Sequence, residues 1–76
     1  MNTEKEILRI LRLCSLARRS EIIKRVSDNG LNVSESDVIE ALHSLSVRGY
    51  VQSVSPIGEE CYAITKTGIR FLANNL

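Results

Sequence analysis

Few residues in this chain are of types that do covalent or metal chemistry: one histidine, His43, and two cysteines, Cys14 and Cys61, among 76 residues. The cysteines are widely separated with no Cys-x-x-Cys, and His43 is close to neither in sequence, so a four-ligand zinc site would have to borrow carboxylates or a second chain. We therefore expect no metal, no cofactor and no nucleophilic thiol; free cysteine packs as a small hydrophobe. A disulfide, within the chain or across a dimer, stays open. No glycine-rich phosphate loop is present and so short a chain has little volume for a pocket, which argues against an enzyme and against any catalytic residue.

What remains is charge. Ten Lys and Arg against nine Asp and Glu give +1, a balance that by itself favours no class of partner. The distribution is uneven. Residues 1–25 carry seven cations, including Arg18, Arg19, Lys24 and Arg25, against Glu4, Glu6 and Glu21, whereas the remainder sets Arg48, Lys66 and Arg70 against six acids. Attraction to phosphate must therefore come mainly from the first third of the chain. A solvated basic face would explain the same residues.

The elements that position these groups follow from periodicity. From Thr3 to about Ala17, Ile7, Leu8, Ile10, Leu11, Leu13 and Cys14 recur at helical spacing. At 100° per residue they span roughly 220°, wider than the roughly 100° stripe of a helix packed on one side. This surplus predicts a homodimer built around the first helix, with Ile7, Ile10, Leu13 and Cys14 in the interface. A second helix, about Arg19 to Asn29, buries Ile22, Ile23 and Val26 and stops at Asn29-Gly30. Ser34 with Asp37 forms a capping-box pattern that starts a third helix near Glu35, and Arg48-Gly49 ends it. Its apolar arc holds Val38, Ile39, Ala41, Leu42 and Leu45. Tyr50 to Ser55 and Cys61 to Thr65 are β-branched and aromatic runs separated by Pro56-Ile57-Gly58-Glu59-Glu60, a hairpin signature. Thr65 then starts a short last helix, Lys66 to about Asn74, anchored by Ile69, Phe71 and Leu72.

Length limits the chain to one domain, residues 1–76, whose marginal core would gain from self-association. A hydrophobic fraction of 43% and a charged fraction of 25% place it among globular proteins, and three aromatics, Tyr50, Tyr62 and Phe71, leave the core aliphatic. No apolar run approaches a membrane span of roughly 18 residues, and no signal-peptide stretch is seen, so a cytoplasmic location with no membrane contact is expected.

Two helices joined by the Asn29 to Val33 turn and followed by a strand pair resemble a winged helix-turn-helix domain. Leu42-His43-Ser44-Leu45-Ser46-Val47-Arg48-Gly49-Tyr50-Val51 is similar to the family's "L-x-x-L-x-x-x-G-Y-V" exit from the recognition helix. Gly58 to Gly68 is similar to its "G-E-x-x-Y-x-L-T-x-x-G" wing and return strand. Small MarR-like and PadR-like regulators and archaeal and viral regulators look similar in size and order. The resemblance implies an α+β fold of three helices, a two-stranded β-hairpin wing and a short C-terminal helix. It also implies binding of double-stranded DNA, with the third helix in the major groove and the wing along the backbone.

The faces fit this implication unevenly. Opposite its core arc the third helix shows Ser36, Glu40, His43, Ser44 and Val47, with no central Lys or Arg. Direct readout would then use Ser or His on base edges, Glu40 on cytosine N4, or Val47 on a thymine methyl. Glu59 and Glu60 stand where relatives carry a basic wing tip, and would meet phosphate with like charge. Arg18 and Arg19, where the motif's first helix crosses the backbone, are the foremost phosphate candidates, with Lys24, Arg25 and Lys66 behind them. The expected function is a sequence-specific DNA-binding transcriptional regulator acting as a homodimer. The alternative is a winged-helix interaction module that docks a protein partner through its acidic third helix and wing.

Overall fold

The first helix carries acids in its first turn and Arg12 in its last, matching the helix dipole, and it ends at a residue the sequence does not flag. The structure, a computed structural model, describes residues 3–30, 32–54 and 60–74. In it α1 spans Thr3–Cys14, and Ser15 takes the left-handed conformation at φ 67° while its amide donates to the Leu11 carbonyl at 2.8 Å. That turn releases the next three residues from the helix. They form β1, Leu16–Arg18, which pairs antiparallel with β3, Cys61–Ile64. The sheet is therefore three-stranded, in the order β1-β3-β2, with β2 at Val51–Val54. This corrects the expectation of a first helix reaching Ala17 beside a two-stranded sheet. A three-residue strand with one buried side chain, Ala17, is too short to show alternation in sequence.

The remaining elements match their signals. α2 spans Arg19–Asp28 and closes on Gly30 at φ 85°, whose amide donates to the Ser27 carbonyl. α3 spans Glu35–Val47 behind a complete capping box: the Ser34 hydroxyl accepts from the Asp37 amide at 3.1 Å, and the Asp37 carboxylate accepts from the Ser34 amide at 3.2 Å. At its other end the Gly49 amide donates to the Ser46 carbonyl and the Tyr50 amide to the Leu45 carbonyl, the two bonds of a Schellman motif around Gly49 at φ 81°. α4 spans Lys66–Asn74 and is capped by Thr65, whose hydroxyl accepts from the Gly68 amide at 3.0 Å and donates to the Gly49 carbonyl at 2.7 Å. The residues between β2 and Glu60, including Pro56, Gly58 and Glu59, lie outside the described residues.

α1 is the centre of the molecule, packed by α2, α3, α4, β1 and β3. Ile7, Leu8 and Leu11 are fully buried, and Ile10 is 5% exposed, against a core that includes Ile22, Val26, Val38, Leu42, Leu45, Val51, Tyr62 and Leu72. This corrects the reading of the broad apolar arc. Ile7 and Ile10 belong to the protomer's own core, because five other elements wrap the helix where a second chain was expected. Leu13 alone stands out, 87% exposed, with Cys14 half-buried beside it.

Candidate nucleic-acid interface

Because α3 is capped at both ends and anchored by Val38, Leu42 and Leu45, its opposite face is presented on a fixed rod. At ~100° per residue, Ser36, Val47 and Glu40 fall diametrically opposite the buried arc. All three are exposed, Val47 by 73%, and His43 is exposed beside them. Ser44 falls on the flank and is half-buried, so it is less available than the helical spacing suggests. No Lys or Arg occupies this face.

A second stripe of α3, at positions i, i+4 and i+7, holds Ile39, His43 and Ser46 and turns toward the sheet. It forms one wall of a cleft of about 230 Å³ whose other wall is Ser53 of β2 and Tyr62 of β3, paired with each other in register. Arg19 and Glu60 close its end. The Glu60 carboxylate oxygen Oε2 accepts from Arg19 Nη1 at 3.2 Å and from the Tyr62 hydroxyl at 2.8 Å, while the Glu60 carbonyl accepts from the Arg19 amide at 3.1 Å. Through these bonds the residue leading into β3 also satisfies the first amide of α2, which has no side-chain cap of its own. Burial pushes the Tyr62 phenol above its ordinary value of 10.0, and the hydrogen bond to Glu60 and its negative charge push the same way against the Arg19 guanidinium.

The phosphate candidates are dispersed by the fold. Arg18 and Arg19, adjacent in sequence, line different clefts: Arg18 sits at β1 in one of about 300 Å³ with Cys14, Leu16, Glu21 and Arg25, and Arg19 sits under α3. Arg25 Nε pairs with Glu21 at 3.1 Å one helical turn away. Lys24 on α2 and Lys66 at the start of α4 are exposed. Arg48 is turned away from the interface, paired with Glu4 of α1 and placed 5.3 Å from the centre of the Tyr50 ring, so it ties α3 to the hydrophobic body. Sequence reasoning missed Ser46, Ser53 and Tyr62 as neighbours of the candidate face, because only the strand register and the β2-to-α3 approach bring them there. Among the described residues no three His, Cys, Asp or Glu gather where a metal ion could be held, and neither cysteine is in a disulfide.

No protein-family model matches the sequence, and no curated protein matches it. Solved structures do match in fold. Bacillus subtilis PadR in complex with operator DNA superposes with a TM-score of 0.83 at 18% identity, covering 93% of this chain and 44% of that one. RosR of H. salinarum gives 0.84 at 19% identity over 99% of this chain and 69% of its own. A PadR family transcriptional regulator from Eggerthella lenta gives 0.77 at 19% identity over 91% and 66%. The fold is the winged helix of these regulators, with α2 and α3 as the helix-turn-helix and β2-β3 as the wing strands. The chain spans less than half the length of the Bacillus protein.

Proposed function

We propose that this protein is a sequence-specific double-stranded DNA-binding transcriptional regulator, acting as a homodimer with α3 in the major groove and the wing along the backbone. One observation carries the reading: Ser36, Glu40, His43 and Val47 are exposed on one face of a doubly capped helix. The same element stands in the same fold in a PadR bound to operator DNA, which supports the reading by likeness. Phosphate contact would come from Arg18, Arg19, Lys24, Arg25 and Lys66, and base contact from Ser36, Glu40, His43 and Val47, with Ser44 at the margin. Dimerisation through the end of α1 rests on Leu13, continued by Leu16 of β1, which is also exposed. Substitutions on α3 such as Ser36→Ala should re-rank duplexes of different sequence, whereas loss of a phosphate contact should weaken all of them alike.

A second reading keeps a specific observation of its own. α3 carries Glu35, Asp37 and Glu40 and no cation, so a protein partner with a basic surface would fit it. Capture of such a partner by α3, with no duplex bound at low salt, would favour this interaction module over the DNA reading.

A further inference from the structure

The cleft between α3 and the sheet already holds an anion of the protein's own. A single carboxylate oxygen of Glu60 takes one hydrogen bond from the Arg19 guanidinium and one from the Tyr62 hydroxyl, and Ser46, Ser53 and His43 line the space around it. With one resident carboxylate and about 230 Å³, the cleft has the size and the donors for a tetrahedral anion. Its position commits it to one source. His43 belongs both to the cleft wall and to the exposed face of α3, so whatever strand borders a groove occupied by α3 passes the mouth of the cleft.

We propose that this cleft seats one DNA backbone phosphate per protomer, and that the Glu60 carboxylate occupies its place until DNA displaces it. The inference rests on the DNA reading above and adds to it a site and a competitor. Arg19 is then not an open cation waiting for DNA but a guanidinium exchanged from one oxyanion to another. Ser46, Ser53 and the Tyr62 hydroxyl become phosphate donors. Glu60 lowers affinity for every sequence without altering preference among them. The Arg19–Glu60 pair is partly exposed, 40% and 43% at the two side chains, so the exchange involves a weak pair and is within reach of a phosphate.

The test is duplex binding by fluorescence anisotropy across a salt series, with wild type, Glu60→Gln, Arg19→Ala, their double variant and Ser53→Ala. Gln keeps an acceptor for the Tyr62 hydroxyl and removes only the charge. Glu60→Gln should bind any duplex roughly two- to fivefold more tightly at low salt, the factor an exposed ion pair supplies. Its log-log salt slope should steepen, because in the wild type the displaced Glu60 carboxylate regains cations and so offsets part of the counterion release at the phosphate. Arg19→Ala should cost more in the Glu60→Gln background than in wild type. Ser53→Ala, on an exposed strand position where folding is not at stake, should weaken all duplexes alike. Wild type binding with Glu60→Gln equal in affinity and slope would overturn the site, as would an unchanged Ser53→Ala. Absence of duplex binding by wild type and every variant would instead overturn the DNA reading itself, and the site with it.

Discussion

The fold holds the phenolic proton of Tyr62. Burial raises its pKa first, and the hydrogen bond to Glu60 adds to that, so the folded chain retains the phenolic proton to higher pH than the unfolded chain does. The sign follows from linkage: the stability gained is fully present below the unfolded value of about 10 and is lost as pH rises through the higher folded value. Urea unfolding between about pH 8 and 11 should show stability declining through the alkaline range, and Tyr62→Phe should make that decline shallower. An equally steep decline in the variant would mean that the phenol is not the group responsible. The neighbouring Arg19 and Glu60 show why single residues were harder to read than types. The sequence places an arginine at the start of α2 and an acid before β3, but their meeting depends on a 41-residue separation that no local spacing encodes.

At the scale of elements, Gly68 explains why a Thr-x-x-Gly pattern opens the last helix. A methyl group there would sit 2.2 Å from the Tyr50 carbonyl oxygen and 2.8 Å from Ile64 Cγ1, so α4 can lie against the end of α3 and the sheet only if this position lacks a side chain. Gly68→Ala should destabilise the fold by at least ~1–3 kcal/mol, as overpacking against backbone does, although alanine is the better helix former. Thermal unfolding would check this, and a stability equal to or above wild type would show that α4 is seated differently. Other elements were legible for equally local reasons: Ser34 and Asp37 start α3, Gly49 ends it, and β-branched runs mark β2 and β3. The end of α1 was not, because Ser15 takes a left-handed turn usually given to glycine or asparagine, and β1 is too short to alternate. The same gap hid the sheet's third strand and, with it, one wrapping of α1. A broad apolar arc measures how many surfaces a helix touches, and it does not say whether those surfaces belong to the same chain.

For the molecule as a whole, the proposed assembly and the proposed DNA binding can be tested separately. Leu13 contributes nothing visible to the protomer's core, so Leu13→Glu should fold with wild-type stability to within about 0.5 kcal/mol, as surface substitutions do. In sedimentation at micromolar concentration it should be monomeric where the wild type is dimeric; a variant that remains dimeric would place the interface elsewhere. On DNA, the cations available for phosphate are few, and Arg19 and Arg25 already have acidic partners. The direct measurement is wild-type binding to labelled duplexes at about 50 mM salt and upward. Three to four phosphate contacts per protomer predict a dimer whose log-log slope is roughly −5 to −7, with weak non-specific affinity at physiological salt. No binding to any duplex at that lowest salt would contradict the account.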